Sequence, residues 1–120
     1  MHELFICNEN NFHQIERTKG LAVVRFFASW CPPCRDSEAL FNEFAEQLEH
    51  SVIVGSVNID QSPVLTTRYE IWGLPSVLMF KDGQLIKRIV GGKSSEHYHH
   101  ALTEVKDATL RGSEPGGGCD

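Results

Sequence analysis

Residues 21–28 read LAVVRFFA, a stretch in which Arg25 is the only polar side chain. A strand without polar alternation has no face to offer to water, so it belongs inside a sheet that is covered on both sides. After Ser29 and Trp30 stands Cys31-Pro32-Pro33-Cys34, and from Cys34 to His50 the pattern changes. There Leu40, Phe41, Phe44, Ala45 and Leu48 recur at spacings of three and four, with Glu38, Glu43, Glu46 and Glu49 on the polar side. That pattern predicts an amphipathic helix. The two thiols thus fall where a central strand hands over to a helix.

The remaining elements follow from the same patterns. ELFIC (3–7) is a short strand candidate, and NENNFHQIER offers an Asn cap with Phe12 and Ile15 at helical spacing. SVIVGSVNID (51–60) reads as a second buried strand. Ser62-Pro63 supplies a cap and an N1 proline for a short helix ending near Tyr69. PSVLMF and QLIKRIV flank Lys81-Asp82-Gly83-Gln84, a two-residue hairpin signal. Ser94 or Ser95 opens a last helix with Tyr98, Ala101, Leu102 and Val105 on one face.

The predicted order is β-α-β-α-β-α-β-β-α. Strands joined through helices run parallel and the hairpin pair antiparallel, which gives an α/β fold with a central mixed β-sheet flanked by helices on both faces. The domain is expected over residues 1–110, and residues 111–120, RGSEPGGGCD, form a Gly-rich tail. With 120 residues, 41% of them hydrophobic, there is material for one core.

Charge and composition remove several functions. Lys and Arg total 11 against 16 acidic residues, for a formal charge of −5, and form no basic run, so a nucleic-acid partner is not expected. No apolar segment approaches membrane-spanning length, and the N-terminus lacks a basic leader, so the expectation is a monomeric cytoplasmic protein. In a reducing compartment a Cys-x-x-Cys pair points to redox or metal chemistry. A metal site is not expected, since neither Cys7 nor Cys119 has the spacing to complete one with Cys31 and Cys34. His97, His99 and His100 fall on the polar side of the last helix and lack a carboxylate or thiolate partner at metal-binding spacing.

The placement of the dithiol suits thiol-disulfide exchange. As N-cap of the long helix, Cys31 faces the positive end of the dipole and can accept from the Cys34 N–H, so negative charge on its sulfur is favoured. Pro32 occupies N1, where its missing N–H is harmless, and Pro33 stiffens the loop further. Cys31, expected to be exposed at its sulfur, would attack a substrate disulfide; Cys34, expected to be shielded, would resolve the mixed disulfide. Cys7, among Leu4, Phe5 and Ile6, reads as an inert core residue. Cys119 reads as a free or intermolecular thiol, because a flexible tail of this length spans only about 17 Å.

FFASWCPPC, VNIDQSP, GLPSVLMFKDGQ and VGG stand in the order and spacing of the thioredoxin family, which this sequence resembles from first strand to last helix. The resemblance implies the thioredoxin fold and a protein dithiol-disulfide oxidoreductase. It implies no bound cofactor, protein disulfides as substrates, and a separate electron donor of the thioredoxin-reductase type. It gives Trp30 the role of the aromatic beside the nucleophile and Leu74-Pro75 that of the cis-proline element facing the dithiol. Trp72, Gly73, Val90 and Gly91 would line the rest of the substrate groove.

There are departures from the family pattern. Pro32-Pro33, a pair that also occurs in tryparedoxins and nucleoredoxins, stands where thioredoxins typically carry Gly-Pro. Arg25 occupies the strand position where the family keeps a buried Asp, Ser56 replaces the accompanying lysine, and Ala39 replaces a helix-kinking proline. An inward Arg25 would stabilise thiolate and shift the protein towards an oxidase or isomerase-like role; an Arg25 that snorkels to the surface would be electrostatically idle. A third reading is a non-catalytic thioredoxin-fold binding module docking partners through Trp30, Trp72 and Leu74.

Overall fold

A computed structural model describes residues 3–108. Its elements are β1 (Leu4–Cys7), α1 (His13–Glu16), β2 (Leu21–Phe27), α2 (Pro32–Glu46), β3 (Ile53–Asn58), α3 (Pro63–Arg68), β4 (Ser76–Lys81), β5 (Gln84–Val90) and α4 (Ser95–Lys106). The strands form one five-stranded sheet in the order β1-β3-β2-β4-β5. β1 and β2 both pair parallel with β3, whereas β4 is antiparallel to β2 and to β5. β2, apolar except for Arg25, is accordingly the central strand. The expected tail and Cys119 lie outside the described residues.

Alternation along β2 divides the core into two layers. Ala22, Val24 and Phe26 face Phe12 and Ile15 of the α1 segment and Leu65 of α3. Val23 faces the other way, into a cluster with Phe41 and Phe44 of α2 and Tyr98, Ala101 and Leu102 of α4. Arg25 has the parity of Val23 and so points towards α2.

Several local details differ from the sequence expectation. α1 is a single turn, and Asn8 organises the chain before it by accepting from the N–H groups of Asn10 and Asn11. Ser62 makes no capping bond; its buried hydroxyl is unpartnered, and Glu9 accepts from the Val64 N–H at that helix start instead. Leu40 is exposed, and Ser37 takes the inward position at the spacing of the buried residues Cys34, Phe41 and Phe44. The Ser37 side chain fits because residue 92 is glycine: a Cβ there would lie 2.5 Å from the Ser37 Cβ. His99 is half-buried rather than fully solvated: it packs edge-on against Phe44, with ring centroids 4.8 Å apart, and hydrogen-bonds to Gln47.

The hairpin turn forms as expected, with Asp82 and Gly83 both at positive φ, 51° and 85°. It is also docked. Asp82 accepts from the Gly20 N–H through its carboxylate at 2.6 Å and donates its own N–H to the Gly20 carbonyl at 2.8 Å. A Cβ at position 83 would meet the Glu16 carbonyl oxygen at 2.1 Å.

Candidate dithiol site

The site is built at the C-terminal end of β2, where Ser29 and Trp30 lead the chain into α2. Cys31 is the N-cap, with extended backbone (φ −93°, ψ 109°), and its sulfur accepts from the Cys34 N–H at 3.2 Å. Pro32 and Pro33 fill the first helical turn and are exposed. Among the described residues Cys7, Cys31 and Cys34 are all free thiols. The expected contrast in exposure between the two site cysteines is small: Cys31 is 4% and Cys34 2% exposed. Both pack with Ala28, against Phe27, Ile59 and Leu74. Cys31 is therefore recessed rather than projecting.

Residues distant in sequence are brought to the same place. Leu74 reaches the cysteine cluster, and the Leu74–Pro75 peptide bond is cis. The Pro75 carbonyl accepts from the Gly91 N–H at 2.8 Å, tying the segment before β4 to the end of β5. Gly73 approaches Val90 so closely that a Cβ would lie 2.6 Å from its Cγ1. Trp30 and Trp72 are 61% and 78% exposed, large apolar surfaces left open to water. The Trp30 indole donates to the Asp60 carboxylate at 2.7 Å, a partnership that residue spacing did not reveal.

Arg25 is turned inward and only 7% exposed. Its Nη2 donates to the Cys34 carbonyl at 2.7 Å, and its guanidinium lies 5.5 Å from the Phe27 ring centroid and 5.7 Å from that of Phe41. Snorkelling to the surface is thereby ruled out in this structure. Contact with two aromatic faces offsets part of the desolvation of the cation. Burial pushes the Cys34 thiol above its ordinary range, and the hydrogen bond with Cys31 adds to that; a backbone hydrogen bond from Ala28 and the Arg25 charge act in the opposite direction. Burial thus favours the protonated form of Cys34.

Cys7 is 3% exposed and donates to the Phe5 carbonyl at 3.6 Å. Burial pushes its thiol up to about 12 against an opposing backbone hydrogen bond from Ser56. Alkylation at neutral pH followed by peptide mapping is expected to modify Cys31 while leaving Cys7 intact; modification of Cys7 in the folded protein would refute its inertness. The same shift has a stability consequence. Because the folded value lies above the ordinary 9.0, the buried thiol contributes fully below pH 9, and that contribution is lost as pH rises towards 12. The urea midpoint of Cys7→Ala should fall less steeply than the parent's across that window.

Among the described residues no helix is long and apolar enough to cross a membrane. A cleft of about 650 Å³ lies on the β1 side between Phe5, Gln14, His50 and Ile53 and takes no part in the dithiol site.

Comparison with known proteins agrees with this geometry. The thioredoxin family model matches residues 3–104. Thioredoxin from Chlamydia pneumoniae is 40% identical over 91 residues, covering 76% of this chain and 87% of the relative. Thioredoxin from Alicyclobacillus acidocaldarius is 33% identical over 95 residues, covering 79% and 90%. Among solved structures, a mutant thioredoxin from Halobacterium salinarum NRC-1 superposes with a TM-score of 0.75 at 22% identity, over 90% of this chain and 94% of that one. The agreement of fold, paired thiols and sequence likeness leaves one conclusion: the chain belongs to the thioredoxin family and is a protein dithiol-disulfide oxidoreductase.

Proposed function

We propose that Cys31 is the attacking and Cys34 the resolving thiol in reduction of protein disulfides. The observation that carries this division is the Cys34 N–H donated to the Cys31 sulfur at the start of α2, which supports negative charge on Cys31 alone. The Cys31 thiolate attacks one sulfur of the substrate disulfide, forming a mixed disulfide and expelling a substrate thiolate. Cys34 then loses its proton and attacks the Cys31 sulfur, closing Cys31–Cys34 and releasing the second substrate thiol. Two electrons pass to the substrate. A separate reductase of the thioredoxin-reductase type returns them.

In this reading the substrate backbone lies along Gly73, Leu74 and Pro75, between Trp30, Pro32 and Pro33 on one side and Trp72, Val90 and Gly91 on the other. The exposed indoles and the position of Leu74 against the cysteines support that path. The protein acts as a cytoplasmic monomer on disulfide-bearing proteins rather than on nucleic acid, in keeping with its acid excess. The catalytic test is reduction of a model protein disulfide with a regenerating reductant, with and without Cys31.

The buried Arg25 favours a second reading, in which the pair is a more oxidising carrier. A guanidinium beside Cys34 stabilises the reduced form, whereas a carboxylate there would destabilise it. Arg25→Asp is expected to lower the reduction potential of the Cys31–Cys34 pair by about 30 mV or more, a tenfold change in the exchange constant with glutathione. An unchanged potential would remove Arg25 from redox tuning. The binding-module alternative requires that Cys31→Ser keep full function in partner assays.

A further inference from the structure

The geometry points to a ligand site behind the dithiol: a cleft beside α2 that takes a small monocarboxylate with an apolar body, its carboxylate held by Arg25. The cleft has a volume of about 380 Å³ and opens over β1 and β3; Arg25, Phe27, Phe41, Leu4, Ile6 and Ser56 are among its walls. That size falls at the lower end of small-molecule sites, which run from about 300 to 1,000 Å³. Its room follows from the sequence. Ser56 is the register partner of Arg25 on β3, and its short side chain leaves the space beside the guanidinium unfilled.

Arg25 is the anchor. It is a permanent cation, 7% exposed, and its one hydrogen bond goes to the Cys34 carbonyl. A guanidinium carries five N–H donors, so most of them are unused. None is sealed away, since the fully buried unpartnered side-chain atom among the described residues is the Ser62 hydroxyl; the free donors therefore open to the cleft. Glu38 also lines the cleft but makes no ion pair with Arg25, whereas Arg68 pairs with Glu16 and Lys87 with Glu104. A buried cation without a counter-charge is costly, and a carboxylate matches the guanidinium fork with two parallel hydrogen bonds.

The walls decide which anion. Phe27 and Phe41 flank the guanidinium, and Leu4 and Ile6 lie at the edge strand, 47% and 63% exposed. Arg35, whose Nη1 donates to the Ser29 carbonyl at 3.0 Å, and Glu38 also line the cleft, so its two guanidinium groups and one carboxylate leave one net positive charge beside the apolar walls, which matches a single negative charge on a hydrocarbon body. A strongly hydrated dianion gains little there. Occupancy would offset the Arg25 charge next to Cys34 from the side opposite the substrate groove. The binding claim stands on the cleft alone and not on the redox reading of Arg25.

The test is calorimetric titration of the full chain with benzoate, with benzamide as the neutral isostere and inorganic phosphate as competitor. Saturable one-to-one benzoate binding is expected, with benzamide at least about tenfold weaker, corresponding to 1.4 kcal/mol. Arg25→Met and the cleft-filling Ser56→Leu should each weaken benzoate by a similar factor, with circular dichroism confirming the fold. If Arg25→Met does not fold, Ser56→Leu and the benzamide comparison decide the matter. No saturable benzoate binding, equal binding of benzamide, equal competition by phosphate, or full affinity in a folded Ser56→Leu protein would each overturn the assignment.

Discussion

Cys31→Ser lowers protein-disulfide reduction by at least about 10³-fold, because a serine hydroxyl supplies no thiolate and thiol-disulfide exchange has no other nucleophile at this position. The substitution is nearly isosteric, and an Oγ can still accept the Cys34 N–H, so the helix start and the melting temperature should change little. Cys34→Ser gives a different failure. The first attack proceeds, the mixed disulfide is not resolved, and a covalent complex with substrate accumulates on a non-reducing gel. The pair of variants separates the two roles. If Cys34→Ser lost reactivity as completely as Cys31→Ser and trapped nothing, the assignment of attacking and resolving thiols would be wrong.

Phe44→Ala is expected to cost about 3–5 kcal/mol, a large part of the roughly 5–15 kcal/mol that stabilises an ordinary domain. Phe44 is fully buried and lies in ring contact with Phe41, Tyr98 and His99, with centroids 5.8, 5.4 and 4.8 Å away. Removing it opens a cavity between α2 and α4 that rigid neighbours cannot close. The melting temperature should fall by about 15 °C or more. Since α2 carries both thiols, catalytic loss on warming should set in earlier as well. A drop of only a few degrees would mean that α4 collapses onto α2 and heals the gap.

Much of this architecture was legible in the residues. LAVVRFF has no polar alternation, and it became the central strand; Asp82-Gly83 between two apolar runs became the tight turn. Cys31 before Pro32-Pro33 announced the helix start. What could not be read was long-range. The Val64 N–H is satisfied by Glu9, far back in the chain, and local spacing pointed instead to Ser62. The inward turn of Arg25 was equally hidden. In a strand buried on both faces parity gives no warning, and only Phe41, arriving from α2, and Phe27 on its own strand provide aromatic surfaces for the charge. Burial of Cys31 was missed for a related reason: Leu74 and Ile59 come from other segments to cover it.

The docked hairpin has a meaning for anyone who wishes to splice something into this protein. Tight turns at a sheet's end are ordinarily where a peptide tag, a reporter or a new pair of termini is accepted. Here Asp82 holds both polar groups of Gly20, the residue just before β2, and Gly83 rests on the carbonyl of Glu16. An insertion between positions 82 and 83 would loosen the beginning of the very strand whose far end delivers Cys31. The turn is a hinge pin for the catalytic strand, and grafts belong elsewhere.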